Sequence, residues 1–201
     1  MLDQLIARVG SDRPIEAVEF EGVDALLRTG GGISIGNGLL RIHSAHSARV
    51  ANEFVSEAFP DFDGRVRCVA FDWLGRQFSL DLQSAADPRP ATILLFEPGT
   101  GEALEVPVGL SDFFHHELVD YSDAALAESF FTEWLASGGH APAFTESVGY
   151  RQPLFLGGAD DISNLELTDT AVYWNVVGQL RMRAIGLPPG TRIDSVTIDD
   201  D

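Results

Sequence analysis

The sequence predicts an α+β fold, an antiparallel sheet of hairpins with helices packed against it, on three observations. Strand-like segments come as neighbouring pairs joined by short turn signals, which suits antiparallel pairing. Helical patterns lie before and after those pairs instead of alternating with them one for one. A hydrophobic content of 45% over 201 residues is enough to bury a real core in one domain or two small ones.

The elements follow in order. Residues 2–9 carry the apolar spacing of a short helix, and residues 23–28 that of another. Gly30, Gly31 and Gly32 stop the second, because glycine is costly inside a helix and cheap in a turn. "GLLRIHS" reads as a strand and residues 46–58 as an amphipathic helix that must end before Pro60. "RVRCVAFDW" and "RQFSLDLQ" flank Leu74-Gly75 as a hairpin, and "ATILLFEPGTGEALEVPV" makes a second hairpin about Pro98-Gly99-Thr100-Gly101. Two helices are expected next, one capped by Ser111 and one by Ser122, the latter running to Gly138-Gly139. After a loop, Thr168 or Asp169 caps a last helix that reaches Gly186, and Pro188-Pro189 forbids its continuation.

Gly32-Ile33-Ser34-Ile35-Gly36 matches the G-x-S-x-G of serine hydrolases, but that motif needs a strand entering the serine and a helix leaving it. Here a helix enters, and Asn37-Gly38 and a strand leave, so Ser34 reads as part of a turn-forming segment. His115 and His116 are adjacent on a helix and point about 100° apart, which does not suit one metal ion. "DFDG" at 61–64 resembles the start of a calcium loop, yet Asp72 stands where the distal glutamate belongs, so a solvated turn is expected. The single cysteine, Cys68, lies among strand residues and reads as an inert buried thiol. No catalytic residue, metal or cofactor is therefore expected, and the chain does not read as an enzyme.

Charge narrows the function further. There are 31 acidic side chains against 13 basic ones, all arginine, for a net charge of −18. Without lysine there can be no P-loop lysine, kinase lysine or Schiff base. So acidic a chain repels nucleic acid and anionic membranes and attracts basic proteins. No apolar run is long enough to span a membrane, and "MLDQLIARVGSDRP" lacks the pattern of a signal peptide. With one cysteine, the expected location is the cytoplasm.

The order of segments "LLRTGGGISIGNGLLRI", "VRCVAFDWLGRQFSLD" and "LLFEPGTGEALEVP" resembles the GAD-like and SUKH-type regions of bacterial immunity proteins. "VGYRQPLFLGGADDISNLELTDTAVYWNVVGQL" looks like the C-terminal domain of type VI secretion DNase immunity proteins, with Leu156-Gly157-Gly158, Asn164, Leu165 and Gln179-Leu180 as the matching positions. The resemblance runs from about Leu26 to Ile193 and is more specific in its C-terminal part. It implies a SUKH-like fold with a GAD-like/SUKH-type region at 1–110 and a mostly helical immunity region at 111–201, packed as one unit. It also implies a non-catalytic protein that binds and neutralises a cognate toxin, a nuclease with a basic groove. The alternative is an intracellular SUKH-type adaptor with an endogenous partner. Acidic side chains beside turns, with one aromatic anchor, make Asp61, Asp63, Asp72, Trp73 and Arg76 the expected interface, and Asp160 and Asp161 a second patch. Trp73 reads either as core or as that anchor.

Overall fold

The computed structural model describes residues 2–13, 22–83 and 91–186. The acidic tail Asp199, Asp200 and Asp201 and the Pro188-Pro189 stop lie outside the described residues. The chain forms α1 (Leu2–Val9), α2 (Val23–Thr29), β1 (Ser34–Ile35), β2 (Leu40–Ile42), α3 (Ala45–Ala58), β3 (Val66–Asp72), β4 (Gln77–Asp81), β5 (Ile93–Glu97) and β6 (Glu102–Val106). It continues through α4 (Leu110–Asp112), a π turn at Phe113–Glu117, α5 (Leu118–Asp120), α6 (Ser122–Leu126), α7 (Glu128–Ala136), β7 (Glu146–Tyr150), β8 (Leu165–Asp169) and α8 (Thr170–Ala184). The class is α+β, an antiparallel sheet with packed helices. Six strands lie in sequence order, β1 to β6, and β7 and β8 form a separate two-stranded ribbon.

Register assigns the two faces of the main sheet. Arg41, Phe71, Gln77, Phe96 and Ala103 are successive cross-strand partners and share one face. Ile42, Ala70, Phe78, Leu95 and Leu104 share the other. An irregularity between Cys68 and Ala70 lets Cys68 and Phe71, three positions apart, point the same way, as a bulge does. Helices α3 and α8 cover the first face, where Ala51, Val55, Phe59 and Trp174 pack on Cys68, Leu94 and Phe96. Buried Leu5, Phe113, Leu118, Leu126 and Phe131, from α1 and the helices after the sheet, share a cluster with Ala70, Phe78 and Leu95 of the second. That cluster holds residues from both sides of position 110, so one core serves both halves of the chain.

Helix ends follow local chemistry. Ser44 and Ser47 form a reciprocal capping box at the start of α3, and the Asp169 carboxylate accepts from the N–H groups of Ala171 and Val172 at the start of α8. Ser111 and Ser122 do not cap. Gly109 precedes α4, Tyr121 precedes α6, and both serines lie inside the first turn.

The helix expected through 123–136 is broken. Ala127 is left-handed, at φ 50 and ψ 46, and separates α6 from α7. An unbroken helix would hand the carbonyls of Ala125 and Leu126 to the amides of Ser129 and Phe130. Instead Arg76 Nη2 donates to Ala125 O at 2.9 Å, Trp73 Nε1 donates to Leu126 O at 2.9 Å, and Ser129 N finds Asp123 Oδ1 at 2.7 Å. The break is thus filled from the sheet. The sequence pattern does not anticipate the β7–β8 ribbon either. It is tied to the main sheet by Val148 N donating to Trp73 O at 2.7 Å.

His43 sits buried, stacked 4.6 Å from Phe71. Its Nε2 faces Gln77 Oε1 at 2.8 Å and its Nδ1 faces Ser47 Oγ at 3.1 Å, a network that suits the neutral ring protonated at Nε2. Burial, with a further push from Arg41 and against the Gln77 hydrogen bond, lowers its pKa to about 4. Cys68 is buried, and burial raises its thiol to about 12 against the Ser79 contact, so it is not a nucleophile at neutral pH. Among the described residues, no helix is long and apolar enough to cross a membrane.

Two outcomes test this description. Ala127→Gly should stabilise the fold by about 1 kcal/mol in urea unfolding, because glycine carries no penalty in the left-handed region. A histidine with a depressed folded pKa contributes fully above its unfolded pKa, and that stability is lost as pH falls from about 6.5 towards 4. Between pH 7 and pH 5 the wild type should therefore lose about 2 kcal/mol more than His43→Gln does.

Candidate functional site

Three turns and one helix break meet at one end of the sheet's strands. The β3–β4 turn is wound around Asp72, whose Oδ1 accepts from Leu74 N at 3.0 Å and Arg76 N at 2.9 Å. Its Oδ2 accepts from Arg76 Nε at 2.6 Å. Arg76 then reaches the next hairpin, donating from Nη1 to Glu97 Oε1 at 2.9 Å. Thr100, in the β5–β6 turn, donates to Glu97 Oε2 at 3.2 Å. The segment after β7 closes the far side. Leu154 N donates to Gly99 O at 2.8 Å, and the Tyr150 hydroxyl donates to Asp160 Oδ1 at 2.5 Å.

Glycine at 99 is a requirement of that closure. A Cβ there would lie 2.6 Å from Tyr150 Cδ2, inside the ring's van der Waals envelope. The backbone of the β5–β6 turn therefore lies against the Cδ2–Cε2 side of the tyrosine ring. The result is a notch of about 180 Å³, walled by Leu74, Ala127, Phe130 and Leu154 and carrying Arg76, Glu97, Thr100, Tyr150 and Asp160 as its polar groups.

The electrostatics of the notch are one-sided. Burial would lower the pKa of Arg76, but the carboxylates of Asp72 and Glu97 outweigh it and hold it above its ordinary value. Burial pushes the Asp72 carboxyl upward, opposed by Arg76 and by its backbone hydrogen bonds. All three of those contacts come from donors, so the site holds Asp72 as the ionised carboxylate. The Tyr150 phenol is raised, by burial first and then by its bond to Asp160, and stays protonated. Arg41 lies behind, donating to the backbone oxygens of Asp72, Ala143 and Glu146. Burial lowers its pKa to about 9 against the fields of Asp72 and Glu146, so it too is charged at neutral pH.

The residues expected at an interface are distributed differently by the structure. Trp73 is not a surface anchor: it is fully buried, packed 5.1 Å from Phe131 and 5.5 Å from Phe130. Asp72 is fully buried as well, and Arg76 nearly so. The tip of an isolated hairpin is exposed, but here β7, α6 and α8 dock on it, so Trp73 is core. Asp160 is exposed at the rim of the notch. Asp161 is exposed beside it and caps the turn Ile162–Asn164, a contact with Ser163 that holds its carboxyl below its ordinary pKa. Asp61 and Asp63 are exposed on the turn after α3 and do not line the notch. The field of Asp61 reaches Arg181 instead, opposing the burial that lowers that guanidinium.

The sequence does not single out Glu97, Thr100, Phe130, Tyr150 or Leu154. The Pro98-Gly99 turn placed Glu97 and Thr100 at a hairpin tip, but nothing local marks Tyr150 as its neighbour. Ser34 lies on β1, paired with Arg41 of β2, and its amide bonds Asp12 Oδ1 at 3.2 Å; it is not at a strand-to-helix elbow. Among the described residues no group of His, Cys, Asp and Glu is arranged to hold a metal ion.

No protein-family model matches the chain, and no curated protein matches it in sequence. The fold is similar to the crystal structure of Atu4351 from Agrobacterium tumefaciens, with a TM-score of 0.55 and 14% identity over 89% of each chain. At that identity the likeness concerns the fold alone.

Gly99→Ala should cost about 1–3 kcal/mol of unfolding free energy, the usual penalty of forcing a methyl into a packed contact. Adding Tyr150→Ala should make the double variant less unstable than the sum of the two single changes, read by a double-mutant cycle. Strict additivity would mean that the clash lies elsewhere.

Proposed function

We propose that this protein binds a basic protein toxin, a nuclease of the type VI secretion kind, and neutralises it stoichiometrically in the cytoplasm without catalysis of its own. The supporting observation is how the charge is partitioned. On a chain of net charge −18, several guanidiniums among the described residues are buried or held by neighbouring carboxylates and carbonyls. Arg41 and Arg76 are buried, and Arg65 holds Asp81 through two hydrogen bonds, of 3.0 and 2.8 Å. Arg181 lies 4.0 Å over the Phe59 ring and donates to Gly101 O and Ala58 O. Arg8 pairs with Glu128, and Arg67 with Asp24.

What faces outward includes Asp61, Asp63, Glu102, Glu105, Asp160 and Asp161. A surface of this kind repels phosphate backbones and anionic lipid, and it accelerates encounter with a basic protein. A nuclease presents a basic groove for its substrate, which is the complementary surface. The segment order resembling bacterial immunity proteins names the same kind of partner.

The test is capture on the tagged full-length protein from its own host's lysate, washed at low and at high salt, with bound proteins identified by mass spectrometry. The expected result is one basic nuclease, retained in stoichiometric amount at low salt, weakened at high salt, and inactive once the complex forms. Retention of an endogenous housekeeping protein would favour the adaptor reading, and no retained partner while neighbouring toxin genes are expressed would overturn the proposal.

A further inference from the structure

We propose that the notch between the β5–β6 turn and Tyr150 receives one arginine side chain from the protein partner. The proposal deepens the partner-binding reading above and rests on it for the source of that arginine. Three observations carry it: charge, size and the character of the walls.

The charges that meet at and behind the notch do not balance. Asp72, Glu97, Glu146 and Asp160 stand against Arg41 and Arg76, leaving two negative charges over. The two guanidiniums are already committed. Arg76 holds Asp72, Glu97 and Ala125 O, and Arg41 holds three backbone oxygens. Glu97 and Asp160, which line the opening, keep acceptor capacity, since each carboxylate has about four lone-pair sites. A cation is therefore the complementary guest.

Size limits that guest to one side chain. The notch holds about 180 Å³. Pockets for whole small ligands run from about 300 Å³ upward, so a nucleotide or a peptide segment is too large.

The walls favour arginine over lysine. Phe130 and Tyr150 present aromatic surface beside the carboxylates. A planar guanidinium stacks on such a face while its fork donates sideways to carboxylate, which a compact ammonium does not do.

A larger open groove, of about 430 Å³ over α3 and α8, does not compete. Glu57 and Arg183 are its charged lining groups and carry opposite signs.

The experiment uses the ¹⁵N-labelled full-length protein, titrated with N-acetyl-arginine-amide and, in parallel at matched ionic strength, with its uncharged citrulline counterpart. The expected result is saturable amide shifts confined to Gly99, Thr100, Gly101, Tyr150 and Asp160 with the arginine probe alone. Asp160→Asn, which keeps an oxygen to accept the Tyr150 hydroxyl, should retain the wild-type spectrum elsewhere and weaken the arginine probe roughly tenfold. Equal shifts with the citrulline probe, shifts scattered over the acidic surface, or an unchanged affinity in Asp160→Asn would each overturn the proposal.

Capture of the partner separates the two readings. A nuclease retained equally by Asp160→Asn and wild type, with no arginine bound in the notch, removes the notch and leaves the toxin-binding function. Arginine bound in the notch with no basic partner captured does the reverse.

Discussion

The Asp72 carboxylate and the Arg76 guanidinium organise the structure around them. Asp72 winds the β3–β4 turn with two backbone amides and takes Arg76 Nε on its second oxygen. Arg76 carries the connection on to Glu97 of the neighbouring hairpin and to the carbonyl that the broken helix leaves open at Ala125. Arg41 enters from the other side, joining the Asp72 carbonyl to Ala143 and Glu146. Sheet, helices and the β7–β8 ribbon thus meet at one buried charge network. Removing one member would strand its partners in a low-dielectric interior, which typically costs about 3–5 kcal/mol. Apolar burial supplies the bulk of the stability, and this network determines which helix end and which turn come together.

That network also explains how the acidic character of the chain reaches its surface. Two of its arginines, Arg41 and Arg76, are buried, but so are Asp72 and Asp81, so the buried charges of the described residues balance. Arg65 and Arg181 are partly covered and committed to Asp81 and to backbone oxygens. The acid excess of the described residues is therefore left on the outside. At the notch the two regimes touch, with satisfied guanidiniums behind and carboxylates at the opening.

Much of the architecture could be read from residue order. The hairpins about Leu74-Gly75 and Pro98-Gly101 form where turn chemistry predicts them, at β3–β4 and β5–β6. Helix α8 begins at Asp169, one of the two caps expected, and α3 ends before Pro60, although its cap, Ser44, is not singled out by the sequence. These features depend on contacts between residues close in sequence, and such contacts are legible without knowing the fold. The reading failed where a distant group took over a local role. Ala127 is an ordinary helix former, yet the helix breaks there, because Trp73 and Arg76 claim the carbonyls at 126 and 125. The ribbon β7–β8 has few apolar residues, and it forms because Trp73, Tyr173 and α8 give it a surface to lie on.

The candidate site divides in the same way. Alone, the sequence determined the α+β class, the hairpin positions, the absence of lysine and the net charge of −18, because these follow from composition and short-range pattern. It could place Asp72, Trp73 and Arg76 on one turn, and Asp160 beside another, without showing that the first turn is buried and the second caps its opening. Burial and the meeting of Glu97 with Tyr150 and Asp160 depend on residues more than fifty positions apart packing together. Only the tertiary structure decided those, because no local preference of the chain encodes which buried partner a side chain will find.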